Sequence, residues 1–142
     1  MQLPNEIFIP EIARLVAEGR QVQFTPTGVS MRPFIEGGKD SVTLIQPDDL
    51  QVGDIVLAEV APQRYVLHRI YGLQGDHVTL MGDGNLCGEE HCLTEAVLAK
   101  VAAIYSPAGR RKPLTRACIW RHMRHSRRIW LKIYRHTLAF LR

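Results

Sequence analysis

Six short runs rich in β-branched residues recur along the chain: QVQFTP, SVTLI, DIVLAEV, RYVLHRIYG, HVTLMG and VLAKVAAIY. Each has the length of a strand, and such residues suit a pleated, half-buried surface. The segments between them are EGGKD, QPDDLQVG, APQ, LQGD and GDGN, each carrying turn-forming Gly, Pro, Asp or Asn. Strands at this near-regular spacing predict a mainly β fold, an antiparallel and partly closed β domain over residues 21–108.

The flanks have a different period. From about Asn5 to Glu18, Ile12, Leu15 and Val16 recur at helical spacing, Pro10 is tolerable in a first turn, and Gly19 is a stop. A short N-terminal helix over residues 1–20 is expected to lie on the β domain. SPAGRRKPL reads as a linker by composition. Beyond it, residues 109–142 form a basic amphipathic helical tail. Ile119, Met123, Trp130, Ile133 and Leu141 fall near one face, with Arg121, Arg124, Arg128, Lys132 and Arg135 on the other.

Charge divides the chain in the same way. Residues 1–108 hold seven Lys or Arg against fourteen Asp or Glu, whereas residues 109–142 hold eleven basic residues and no acid. An acidic body and a basic tail point to two functional regions. No stretch approaches the ~18 apolar residues of a spanning helix. The N-terminus lacks the basic start, apolar core and cleavage site of a secretory signal, so the cytoplasm is the expected compartment. Three cysteines, Cys87, Cys92 and Cys118, do not suggest a disulfide framework. Cys87, His91 and Cys92 in CGEEHC lack the second ligand pair a structural zinc needs, so the segment reads as a loop and no metal or other cofactor is expected.

A serine hydroxyl becomes a nucleophile only when a base takes its proton and donors stabilise the oxyanion. TPTGVSMRP fits that demand: Gly28 permits close backbone approach, Ser30 can be presented at a turn, and Pro33 restricts the exit. Taken in order, GVSMRP, QVGDIVLAEV, VLHRI and LMGDGN resemble the signal-peptidase and LexA-like serine peptidase superfamily over about residues 22–105. The resemblance implies that fold, a Ser30 nucleophile, and a substrate-binding and oxyanion region at Gly28, Ser30 and Met31. Many members use a lysine base, but Lys39 and Lys100 lie far from the base position. His68 stands there, as in the Ser–His branch of signal peptidases. An imidazole is already largely neutral near pH 7. Asp83 of the Gly-Asp-x-Asn element matches the orienting carboxylate of that branch, and Glu89 a second acidic position where the family more often has Asp.

The resemblance implies a serine endopeptidase working through an acyl-enzyme, with a peptide or protein substrate that pairs as an added strand and carries small side chains before the scissile bond. Membrane-anchored members hold an N-terminal spanning helix, which this sequence lacks. Ser106 and Ala108 in the linker raise self-cleavage at Ala108–Gly109. For the tail, an anionic membrane surface or a partner protein is expected, ahead of nucleic acid and beside plain packing on the body. The alternatives to a peptidase are a catalytically inactive peptide-binding module and a nucleic-acid-associated regulator of the same fold.

Overall fold

The β-branched runs form strands and the turn segments reverse them. The computed structural model describes residues 8–85, 88–123 and 126–141. In chain order these form α1 (Phe8–Ala17), β1 (Val22–Phe24), β2 (Ser41–Ile45), β3 (Ile55–Ala61), β4 (Arg64–Gln74), β5 (His77–Met81) and β6 (Glu90–Leu93). After one 3-10 turn (Thr94–Ala96) come β7 (Val97–Tyr105), β8 (Arg111–Lys112), α2 (Cys118–His122) and α3 (Arg127–Leu141). The N-terminal part of the expected first helix, including Asn5, and Cys87 lie outside the described residues. No helix among the described residues is long and apolar enough to cross a membrane.

The fold is mainly β: one antiparallel sheet, ordered β1-β2-β7-β3-β4-β5-β6 with β8 paired to β7, curls into an open half-barrel. Alternation along the strands separates two apolar clusters. Ile55 and Leu57 of β3 and Leu67 of β4 face one cluster, which α1 covers through Ile9, Ile12 and Val16. Val56 and Ala58 of β3, Val66 and Ile70 of β4, and Val78 and Leu80 of β5 face the other. The central strands are therefore buried on both sides, which is why β3 and β4 read as near-continuous apolar runs rather than alternating ones.

Two strands escape the sequence pattern. β6 comes from EHCL, two polar residues followed by two apolar ones, and β8 from Arg111–Lys112, inside the expected linker. The linker is a tight reversal in which Ser106 N–H donates to Arg110 O at 2.8 Å and Gly109 N–H to Ser106 O at 2.9 Å. β8 then returns along β7, so the sheet extends past the boundary expected after residue 108. The Ala108–Gly109 bond thus lies within a hydrogen-bonded turn rather than in an extended linker.

The tail differs from expectation too. Among the described residues it is two helices, and its apolar stripe does not all face inward; Arg124 and the side chains of Ile119 and Leu141 lie outside the described residues. Trp120 packs edge-on against Phe34, ring centroids 6.0 Å apart, but Ile129, Trp130 and Ile133 are exposed. The side chain α3 buries most deeply is Arg127, fully inaccessible to solvent.

Leu57 is fully buried in the larger cluster, whereas Leu93 on β6 is half exposed. Leu57→Ala is expected to lower unfolding free energy by about 2–5 kcal/mol, and Leu93→Ala by less than about 0.5 kcal/mol, both read from urea denaturation.

Candidate active site

β4 crosses the middle of the half-barrel and carries both residues on which the site is built, His68 and Arg69. Neighbouring residues of a strand point to opposite faces. His68 lies on the side of Val66 and Ile70, and Arg69 on the side of Leu67. The two side chains serve different structures.

On the first face, His68 Nε2 is 3.3 Å from Ser30 Oγ, joining residues 38 positions apart. His68 is only 4% exposed, whereas Ser30 is partly exposed as a residue. Behind the ring, Nδ1 lies 2.8 Å from Glu90 Oε1. That is hydrogen-bond distance, but Nδ1 has no well-aligned partner, so the contact is a close approach of carboxylate to ring that becomes an ion pair only when His68 is protonated. Arg64 approaches the other Glu90 oxygen at 3.3 Å. Burial pushes the His68 pKa below its ordinary 6.5, and Glu90 opposes part of that shift. Contact with His68 holds the Glu90 carboxyl below its usual range, against a smaller upward push from its own burial. Near pH 7 the pair is a neutral imidazole beside a carboxylate, a base able to accept a hydroxyl proton.

On the second face, Arg69 and Asp83 are both fully buried. Arg69 Nε reaches the two Asp83 oxygens at 3.0 and 2.8 Å, and a terminal nitrogen lies 2.8 Å from Oδ2. Its other terminal nitrogen donates to Gly53 O and Thr115 O, each at 2.7 Å, and the Phe34 ring covers the guanidinium at 4.9 Å. Tyr71 donates its hydroxyl proton to Asp83 Oδ1 at 2.9 Å. Burial, with the Asp83 charge adding to it, raises the Tyr71 hydroxyl pKa to about 12. Among the described contacts Asp83 is hydrogen-bonded to Arg69 and Tyr71 rather than to His68, on which its charge acts through space, because strand alternation turns Arg69 to the opposite face.

What Asp83 does is fix the turn that carries Ser30. It lies between Gly82 and Gly84, and Gly84 N–H donates to Ser30 O at 2.7 Å. A Cβ on Gly84 would overlap Val29 O, and one on Gly82 would press on Ser30 O and come within 3.0 Å of Ser30 Cβ. Two glycines are thus required by close backbone packing against the Ser30 turn, and the carboxylate between them ties that contact to β4.

Other expected residues separate from the centre. Gly28, at φ +90°, shapes the approach to the turn. Met31 lines no cleft: its side chain is fully buried in the larger core cluster, and its carbonyl accepts from Phe34 and Ile35 N–H at 3.0 Å each. Glu89 is one residue out of step. Glu90 and Cys92 share the face of His68, whereas Glu89 lies near His91, itself 3.0 Å from His77 on the other face. Glu89, His77 and Thr79 line a cavity of about 700 Å³ whose lining includes neither Ser30 nor His68. The site is assigned by which side chains can exchange a proton, and that hollow lacks the hydroxyl. Lys100 donates to Asp48 O at 2.6 Å and takes no part.

The C-terminal segment completes the surroundings. Trp120 Nε1 donates to Asp83 O at 2.9 Å. Arg127 donates to the Tyr71 hydroxyl at 2.8 Å and to Asn85 O at 3.1 Å. Tyr134 reaches Glu36 Oε2 at 3.2 Å, and Glu36 is held by Arg32 at 2.6 and 2.9 Å. Sequence reasoning missed Glu90, Arg69 and Arg127. The chain matches no model of a known protein family, and no curated protein sequence matches it.

Asp83→Asn leaves Arg69 charged and buried without its counter-ion. It is expected to reduce stability by about 3–5 kcal/mol, measured by denaturant titration, whereas Glu89→Gln at the exposed neighbour position stays within about 0.5 kcal/mol of wild type.

Proposed function

We propose that the chain is a serine endopeptidase of the signal-peptidase and LexA-like type, with Ser30 as nucleophile, His68 as general base and Glu90 behind the imidazole. The observation that carries this reading is the 3.3 Å approach of Ser30 Oγ to His68 Nε2, with the Glu90 carboxylate on the far side of the same ring. A hydroxyl, an imidazole and a carboxylate in that order form the constellation that activates serine on unrelated folds.

In the proposed reaction, Oγ attacks a peptide carbonyl carbon as its proton passes to Nε2. The tetrahedral oxyanion collapses, the C–N bond breaks, and the imidazolium returns that proton to the departing amine. Water then gives a proton to Nε2 as its oxygen attacks the acyl ester, and as the ester C–O bond breaks the imidazolium returns that proton to Oγ, restoring Ser30 and neutral His68 and releasing a carboxylic acid. Glu90 favours the imidazolium in each half-reaction. The Ser30 N–H is the natural oxyanion donor, because the turn is fixed from behind by Gly84.

Ser30→Ala and His68→Ala are each expected to abolish covalent labelling by a serine-directed phosphonate probe, read by intact mass. If folded wild type is not labelled, the inactive peptide-binding alternative replaces this reading. Protonated His68 is inactive as a base, so activity should rise with pH through the depressed His68 pKa, below 6.5, and be complete at neutrality. Because Glu90 raises that pKa, Glu90→Gln should move the acid limb to lower pH and reduce kcat by roughly 10²–10⁴-fold.

The tail supports a second proposal, a peripheral position at the cytoplasmic membrane surface. α3 exposes Ile129, Trp130 and Ile133 at 64, 47 and 50% on a helix whose charged residues are all basic. That pairing suits shallow insertion beside anionic headgroups. The protein is expected to sediment with vesicles containing phosphatidylserine and to stay in solution with phosphatidylcholine alone, and Trp130→Glu with Ile133→Glu should remove the binding. Equal sedimentation with both lipids rejects this position.

A further inference from the structure

We infer that the groove beside Ser30 is a substrate subsite for an acidic side chain, with Arg128 and Arg135 of α3 as its specificity-determining residues. This rests on the peptidase reading above and names its substrate class.

The groove, about 220 Å³, is lined by Val29, Arg32, Gly84, Arg128, Leu131 and Arg135. Two of these belong to the nucleophile's own support: Val29 directly precedes Ser30, and Gly84 donates to the Ser30 carbonyl at 2.7 Å. Neither Ser30 nor His68 lines the groove, but it adjoins the Ser30 turn through Val29 and Gly84, so a side chain occupying it belongs to a residue flanking the bond under attack rather than to the one attacked. The opposite wall is α3. It is held by the fully buried Arg127, bonded to Tyr71 and Asn85 O, and by Tyr134 on Glu36. These contacts fix the face of α3 that turns toward the cleft. Residues 128, 131 and 135 fall on it because positions three, four and seven apart share a helix face.

Among the described residues no acidic side chain lines the groove. The Arg32 charge is already matched by Glu36 at 2.6 Å. Arg128 and Arg135 are exposed and form no ion pair among the described residues. Two turns of helix separate them by about 10 Å, with Leu131 between, so a carboxylate-bearing side chain can rest its methylenes on Leu131 and reach either guanidinium. A lysine or arginine in the same place would meet two like charges and no partner. The groove therefore selects by attraction and by repulsion, the usual construction of a specific site. Near solvent the attraction is screened by salt, so the selectivity is ionic-strength dependent.

The test uses the full chain and a peptide library with small residues at the first and third positions preceding the expected bond and each other flanking position varied. Cleavage products are quantified by mass spectrometry for wild type, Ser30→Ala, Arg128→Glu, Arg135→Glu and the double charge reversal. The readout is the ratio of kcat/KM for an acidic against a basic residue at one position within each variant, so loss of folded protein cancels. Wild type is expected to favour Asp or Glu by about tenfold or more, less in about 1 M salt, and the double variant to favour Lys or Arg. Ser30-dependent cleavage without a charge preference, or with a preference the reversals leave unchanged, overturns the acidic subsite and leaves the peptidase intact. Absence of Ser30-dependent cleavage of any library member overturns both.

Discussion

The buried pair of Arg69 and Asp83 is the contact on which the arrangement of the site depends. A guanidinium and a carboxylate with no solvent exposure are tolerable only when nearly every donor and lone pair is used, because desolvating either ion alone costs several kcal/mol. Here Arg69 spends its donors on both Asp83 oxygens and on the carbonyls of Gly53 and Thr115, and Tyr71 takes a further place on Asp83. These partners come from separate parts of the chain: the turn before β3, the strand β4, the turn after β5 and the segment after β8. Satisfying one pair of charges brings four segments into register. The nucleophile turn joins through Gly84, whose N–H holds the Ser30 carbonyl. His68 and Ser30 meet because their immediate neighbours are fixed by this network on the opposite side of the strand.

The same network explains why the C-terminal segment is part of the site's architecture. Trp120 donates to the Asp83 carbonyl, and Arg127 donates to the Tyr71 hydroxyl that in turn donates to Asp83. A cation inserted next to an existing ion pair is stabilised by aromatic faces as well: Arg127 lies 5.3 Å from the Trp120 ring and 5.6 Å from Tyr71. The reach of this chain of contacts, from β4 through the turn after β5 to α3, makes the helix a wall of the cleft. Turning Arg127 inward sets the rotation of α3, and rotation decides which residues face out. Ile129, Trp130 and Ile133 are exposed because Arg127, Leu131 and Tyr134 occupy the inner face.

Much of the sheet was legible because the six runs are bounded by turn residues, and five of them give strands of five residues or more; QVQFTP gives the three-residue end strand β1. EHCL and Arg111–Lys112 were not, since short edge strands hold too few buried side chains to print a period. Ser30 and His68 stood out by residue type and by ordered flanking motifs. Their mutual approach is a tertiary fact that the motifs only implied. Asp83 was legible as important but not as to its role, because a Gly-Asp-Gly segment looks alike whether its carboxylate turns toward position 68 or 69 of a strand elsewhere. Arg127 had no signal at all: an arginine among other arginines on an amphipathic helix reads as solvated, and only the pocket formed by Tyr71, Trp120 and Asn85 makes it an interior residue.

Glu90 shows how one step of register changes a functional assignment. In the sheet, Ile70 of β4 pairs with Leu80 of β5, which pairs with Glu90 of β6. That row continues the face of the smaller apolar cluster, to which His68, two residues before Ile70, also belongs. Glu89 is out of phase with the row, so a shift by one position exchanges a carboxylate beside the imidazole for one at the rim of a different cavity. The side-chain length follows from the same geometry. Two strand spacings, about 10 Å, separate β6 from β4, and the curl of the half-barrel shortens that span. Glutamate's added methylene closes the remainder to 2.8 Å. An aspartate there would fall about one methylene short of the ring, so the residue type at 90 is matched to a carboxylate reaching across an intervening strand. The poorly aligned approach to Nδ1 fits that long reach: the charge is delivered at close range while the His68 ring is positioned chiefly by its own burial.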